Sequence, residues 1–384
     1  MATAKKAAKR APRTTARKGV ISIDAAVPAN APEHHPHVFE DRGQSMTPNE
    51  EDELAFAISA SAMDEVGGLS PVAMRLLEAA TDMQQSPDSY ERAFLARQLI
   101  QCTFPHSDPG NVPIWSRTNG NLTLSIRPLY DEESASHKYP YGTIPRLFLY
   151  WMVTEAARTK KRRLYLGTSY PDFMRKLGLN PSNGGVRSDS RRLKDQIERM
   201  LRATISFKQT YKRDGKTGDA WLDMQIGPEA VLWWNFDKGS QNSLFESYIE
   251  LSDKFFSAIT SSPIPLDLRA LRALRNSPLS LDLYSLICHK TYSARKDGDT
   301  KTIPWDGLHR QMGSEYKELR NFRQKVIATV KKIRLVYPQM KVDLSESGMH
   351  IHPAPLAIPE RTGGEAQEFL AIEASIVKRR RIAK

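Results

Sequence analysis

Histidines one residue apart, thiols, and arginines set at helical spacing beside amides are the residues of this chain whose types could do chemistry. His350-Ile351-His352 superficially matches the His-hydrophobe-His metal site of rolling-circle nickases. Such enzymes position a phosphate on the metal and place a tyrosine nucleophile downstream. No tyrosine follows Tyr337 here, and both histidines fall on an expected strand, so they read as exposed strand residues. The cluster His34-His35-Pro36-His37 lies in a proline-broken tract that gives a metal no fixed geometry. Cys102 and Cys288 are far apart with no CxxC or Cys/His spacing, which predicts neither a zinc site nor a disulfide framework and makes a reducing cytoplasm the default. No Gly-x-x-x-x-Gly-Lys-Ser/Thr loop occurs, so ATP hydrolysis is not expected. With no Ser/His/Asp or Cys/His grouping either, the sequence assigns no catalytic residue, metal or cofactor. It points to a binding protein rather than an enzyme.

The arginines are the stronger signal. In the stretch Ser169 to Ile205, Phe173, Met174 and Leu177 give a short helix one apolar face, Gly178 stops it, and Asn180 to Gly185 make a turn. A longer helix follows, with Leu193, Ile197, Met200 and Leu201 on one arc and Ser188, Arg191, Arg192, Arg199 and Arg202 opposite. Such a face suits the DNA major groove, where arginine pairs in bidentate fashion with guanine or phosphate. A basic helix face can equally be plain solvated surface; recurrence favours the first reading.

About 135 residues on, the register returns: Leu308 falls under Phe173, Arg310 under Arg175, Met312 under Leu177 and Gly313 under Gly178. Glu318 to Leu335 then sets Phe322, Val326, Val330 and Ile333 against an outward face of Arg320, Asn321, Gln324, Lys331 and Lys332. Each unit ends in an expected hairpin. The first runs from Thr204 to Ile226, with Lys212, Arg213 and Lys216 near its tip, and the second spans residues 341–352. Helix, helix and hairpin, twice over, predict an α+β fold of two tandem winged helix-turn-helix domains, 111–262 and 263–358.

The remaining chain is read in order. Residues 1–46, basic and without an acid before Asp24, form a disordered arm. Residues 47–110 form a helical segment: Thr47-Pro48-Asn49-Glu50 is a capping box opening a helix to about Val66, and Ser70-Pro71 and Ser86-Pro87 open two more, to about Met83 and Cys102. Residues 112–126 read as a β-hairpin, Tyr141 to Thr159 as a helix, Leu164 to Gly167 as a strand, and Trp233-Trp234 as part of an aromatic strand or turn. Ser261 to Pro265 is the interdomain break. Pro278 to Ala294 and Lys301 to Trp305 repeat the helix and strand, and residues 359–384 are a basic tail. The formal charge of +12 would attract nucleic acid or an anionic membrane surface, and no run of about 18 apolar residues spans a bilayer.

The stretch Pro140 to Phe207, with PYGTIPRLFLYWMVTEAARTK, RRLYLGTSYPDFMRKLGL and RSDSRRLKDQIERMLRATISF, resembles the RepA-type replication initiators of broad-host-range bacterial plasmids. The resemblance extends over residues 110–355. It implies tandem winged helices that bind direct repeats (iterons) at a plasmid origin, open adjacent A·T-rich DNA, control copy number and pass host helicase or its loader to the open strand. A homodimer and repression of its own promoter belong to the same expectation. A winged-helix transcriptional regulator is the alternative, and a rolling-circle nickase a more distant one. Gln241-Asn242-Ser243-Leu244-Phe245 resembles the Gln-Leu-Ser/Asp-Leu-Phe peptide that enters a pocket on the sliding clamp, departing at its second position. In that reading Gln241, Leu244 and Phe245 are the contacts; an ordinary buried strand is the competing one.

Overall fold

The structure, a computed structural model, describes residues 70–359 except 87, 88, 90, 168, 183, 184, 186, 187, 214, 215, 233–246 and 262. Met1–Asn49 and Glu50–Lys384 cluster as separate units, and the described residues belong to the second. The basic arm, the Thr47 capping box and its helix, the His34 cluster, Trp233-Trp234, the 241–245 peptide and the tail beyond residue 359 therefore lie outside the described residues.

The first elements are α1 (Pro71–Gln85), β1 (Arg92–Ala96), α2 (Arg97–Gln101), β2 (Trp115–Asn119), β3 (Leu122–Arg127), β4 (Leu129–Asp131) and β5 (Ser136–Lys138). Next come α3 (Thr143–Thr159), β6 (Arg163–Tyr165), α4 (Tyr170–Lys176), α5 (Asp189–Arg202), β7 (Thr204–Arg213), β8 (Lys216–Gln225), β9 (Glu229–Val231) and β10 (Tyr248–Glu250). The chain continues through α6 (Asp253–Ser261), β11 (Pro263–Asp267), α7 (Leu268–Leu274), α8 (Pro278–Asp297), β12 (Lys301–Pro304), α9 (Trp305–Gln311), α10 (Leu319–Val336), β13 (Val342–Leu344) and β14 (Gly348–Ile351).

Alternating side chains explain the main sheet, whose order is β2-β3-β7-β8, every pair antiparallel. Leu122, Leu124 and Ile126 of β3, Ile205 and Phe207 of β7 and Met224 of β8 are buried. Their intervening neighbours leave the other face polar, as a half-buried antiparallel sheet requires. A smaller sheet, β6-β10-β9, continues the first unit, and β12-β14-β13 closes the second. Helix α8 is buried continuously from Leu279 to His289. A helix wrapped on all sides belongs at the centre, and α8 touches both α3 and α10.

Two expectations are corrected. Ser86 to Cys102 is not one helix. Arg92–Ala96 is a strand that pairs antiparallel with Pro263–Asp267, and only Arg97–Gln101 is helical. Nor is Ser261 to Pro265 a free linker, because Pro263 and Pro265 are strand residues facing Ala96 and Phe94. A two-stranded pair tolerates them because each strand has one unpaired edge for the missing N–H groups. Pairing across the fold has overridden local propensity.

Candidate nucleic-acid interface

Local chemistry sets the geometry of α4 and α5. The Ser169 hydroxyl accepts from the Asp172 N–H at the start of α4, with Pro171 in the first turn. Phe173 meets Phe148 and Trp151 of α3 edge-on, at 6.2 and 4.9 Å between ring centroids. Gly178 ends the helix in the left-handed region, φ +73°, where a side chain is strained. Across the turn the Tyr170 hydroxyl donates to the Ser190 carbonyl at 2.7 Å, tying α4 to the first turn of α5. Leu193, Ile197, Met200 and Leu201 are buried as their spacing predicts.

The outward face of α5 is less uniform than its spacing suggests. Arg191 and Arg192 are exposed at the N-terminal end, and Arg192 lies 3.5 Å from Asp189. Ser188 is buried, and its hydroxyl accepts from the Arg191 N–H: it is the helix cap and not an outward contact. Arg199 is also withdrawn, its side chain 14% exposed. It pairs with Asp195 at 2.9 Å, lies 3.7 Å from Asp108, donates to the Tyr139 carbonyl and packs over the Tyr141 ring. Arg202 is exposed beside Glu198 at 3.5 Å. Arg199 and Arg202 line a cavity of about 410 Å³ whose other wall is the β4–β5 hairpin with Asp131, Glu132 and Glu133. The C-terminal half of α5 thus faces acids, and its N-terminal half faces out.

Helix α10 differs in charge. Arg320, Asn321, Gln324, Lys331 and Lys332 are all exposed, over a buried stripe of Phe322, Val326, Val330 and Ile333. From Leu319 to Val336 the helix contains no acid; Glu318, at its cap, accepts from the Asn321 amide at 3.2 Å. Arg323 is held over the Trp305 ring and Arg334 donates to the Val342 carbonyl, so these two brace the helix.

A hairpin follows each of these helices in the chain. Strands β7 and β8 are ten residues each and carry exposed Lys212 and Lys216 near their tip; Arg213 ends β7, with its side chain outside the described set. Trp221 on β8 is 71% exposed, directly across from Lys208. In the second hairpin His350 and His352 are half-buried rather than exposed. His350 shares hydrogen bonds with Thr302 and Ser345, and His352 with Thr300 and Asp343. Their ring nitrogens are occupied in holding β12, β13 and β14 together. No group of described His, Cys, Asp and Glu residues is placed to hold a metal ion.

Beside the continuous apolar core, a buried polar cluster joins the two units. Arg146 of α3 donates from Nε and Nη2 to both Asp282 oxygens of α8, at 2.7 and 2.8 Å, and to the carbonyls of Phe104, Pro105 and Gly142. All five N–H groups of the guanidinium are used. His106 completes the cluster, 2.8 Å from Asp282. Burial alone would raise the Asp282 carboxyl, but Arg146 and His106 outweigh it and hold it at about 2. The loop that supplies those carbonyls also seats the second unit, through the Gly313 N–H on Thr103 Oγ1 and the His106 N–H on the Gly313 carbonyl. Arg117 of β2 donates to the Met312 and Ser314 carbonyls beside it.

Sequence reasoning missed the acidic hairpin opposite α5, the exposed Trp221 and the Arg146–Asp282 pair. Only the last had a visible signal: one charge in each of two otherwise uncharged, largely apolar helical runs, Ile144 to Trp151 and Leu279 to Leu286.

Residues 139–307 match the family described as plasmid encoded RepA protein. No curated protein matches the chain. Among solved structures, a crystal structure of domains 2 and 3 of RctB is 11% identical, with TM-score 0.43, over 68% of this chain and 99% of that one. A second RctB domain 2–3 structure is 12% identical, with TM-score 0.34, over 65% and 85% of the respective chains. Both are too distant to transfer residue roles. No helix among the described residues is long and apolar enough to cross a membrane.

Proposed function

We propose, from the match of residues 139–307 to the plasmid encoded RepA protein family, that this chain is a non-enzymatic plasmid replication initiator that reads direct repeats at an origin through two tandem winged helix-turn-helix units. It would then favour opening of adjacent A·T-rich DNA and present that DNA to a host helicase or its loader, acting in the cytoplasm on plasmid DNA.

The observation that carries this reading is the outward face of α10. Between Leu319 and Val336 that face exposes four cations, Arg320, Lys325, Lys331 and Lys332, and no acid, which is a field suited to phosphates. At its N-terminal end Arg320, Asn321 and Gln324 are the side-chain types that pair with guanine and adenine edges. Helix α5 contributes Arg191 and Arg192 in the corresponding half of its own unit. In the second unit the hairpin of residues 342–351, paired to β12, is the wing; in the first unit β9 and β10, paired to β6, stand in that place, while the hairpin of residues 204–225, expected from the sequence as the wing, belongs to the β2-β3-β7-β8 sheet.

The test is competition binding of the full chain to a duplex carrying the origin repeats and to a random duplex. Arg320→Ala is expected to cost about 1–3 kcal/mol on the repeats and little on random DNA. Equal losses on both would make Arg320 a phosphate contact, and no preference of the unaltered chain for the repeats would contradict the reading. A winged-helix regulator would share these contacts but leave the neighbouring DNA closed. Gln241, Leu244 and Phe245 remain proposed clamp contacts; a peptide of residues 238–248 should bind purified clamp, and a null result removes that partner.

A further inference from the structure

Three arginines that belong to neither helix of the first helix-turn-helix converge beside its turn. Arg272 lies on α7, Arg275 just beyond it, and Arg75 on α1. A Cβ placed on Gly178 would be 3.4 Å from Cδ of Arg275 and 3.6 Å from Cγ of Arg272, so the two stems pack directly on the turn. Asp189, in the first turn of α5, acts electrostatically on Arg275. On their other side α1 and α7 both touch α10. The elements that carry the cluster therefore adjoin both the turn before α5 and helix α10.

Ordinary helix capping explains only part of it. Arg75 donates from Nε to the Ala273 carbonyl at 3.3 Å, and Arg275 from Nη1 to the Arg272 carbonyl at 3.1 Å, both at the C-terminal end of α7. Cations are favoured there, but one guanidinium suffices, and each bond uses one of five N–H groups. Glu91 pairs with Arg272 at 3.1 Å. Arg75 Nη2 is shut off from solvent with no acceptor among the described residues, so Arg75 supplies positive field rather than a contact. Burial and then Arg275 lower the basicity of Arg75. Burial does the same to Arg275, where Asp189 opposes it and Arg272 adds a smaller effect in the same direction as burial; Glu78 likewise opposes at Arg75. Guanidinium groups stay charged, so both are half-withdrawn cations with hydrogen-bond donors left over from capping.

We propose that Arg272 and Arg275, backed by Arg75, form a phosphate site that grips the DNA backbone between the two helix-turn-helix units. The inference rests on the DNA-binding reading above and adds to it a contact outside both recognition helices. Such a site would fix the spacing of the two units on the duplex without reading any base.

The experiment uses the full chain with Arg272→Gln and Arg275→Gln together. Affinity for the repeat duplex and for a random duplex is measured across a salt series, with thermal melting as the check on folding. The expected result is a slope of log K against log salt smaller by about 1.8, two phosphates at about 0.9 each, alike on both duplexes. An unchanged slope in a variant that melts normally overturns the site, as does a loss confined to the repeats. Should the double variant not fold, Arg275→Gln alone is expected to lower the slope by about 0.9. Glu91→Gln, which releases Arg272 from its acid, is expected to tighten both duplexes, and no change in either variant overturns the site. Arg320→Ala run in parallel separates the two failures. If it still loses affinity on the repeats while the Arg272/Arg275 slope is unchanged, only the phosphate site fails; if the unaltered chain binds no duplex, the DNA reading fails with it.

Discussion

Arg191 and Arg199 stand about two turns apart on α5 and do different work. Arg191 and Arg192 are exposed, while Arg199 is braced by Asp195, Tyr139 and Tyr141. Replacing Arg191 and Arg192 by Gln is expected to lower the salt slope of DNA binding by about 1.8. Arg199→Gln should leave the slope unchanged and instead lower the melting temperature, because it removes packing and hydrogen bonds rather than a ligand contact. The opposite pattern would show that Arg199 swings out to the DNA. Helical spacing placed both arginines on one arc, and on an isolated helix both would face water. It carried no information on Asp108, Tyr139 and Tyr141, which arrive from a segment more than fifty residues upstream. Ser188 is a different kind of miss. A serine directly before a helix whose hydroxyl reaches the N–H three residues on is a cap, and that signal was present in the sequence.

At the scale of elements, Gly178 and Gly313 hold the same register position in the two units for different reasons. Gly178 supplies a left-handed turn, whereas a Cβ on Gly313 would lie 1.6 Å from the Phe104 carbonyl oxygen. Repeat spacing made the paired helices legible, because apolar periodicity is local to each helix. It could not show that β1 pairs with β11, a contact between segments about 170 residues apart. The β4–β5 hairpin was equally invisible as a neighbour of α5. Its acids face Arg199 and Arg202 across the cavity of about 410 Å³ and should repel an approaching phosphate backbone. Glu132→Gln with Glu133→Gln is therefore expected to strengthen binding to random duplex several-fold at low salt and hardly at all at about 1 M, where charges beyond about 3 Å are screened. Salt-independent strengthening, or none, would mean the hairpin does not oppose DNA.

Across the whole molecule, the Arg146–Asp282 pair joins α3 to α8. Arg146→Met leaves Asp282 charged, buried and unpaired, and is expected to cost about 3–5 kcal/mol in chemical denaturation. Arg146→Met combined with Asp282→Leu should recover most of that stability, since an apolar pair of similar volume needs no desolvation of charge. A single variant as stable as the parent would show that the cluster does not hold the units. The proposed initiator role is tested most directly by where the chain sits on origin DNA. Hydroxyl-radical footprinting of the origin, with permanganate probing of unpaired thymines on the same DNA, measures both halves of it. The predicted result is protection over tandem direct repeats, two successive major-groove faces per bound chain, with reactive thymines in the adjoining A·T-rich run. Protection of a single inverted repeat at a promoter, with every thymine still unreactive, would contradict it.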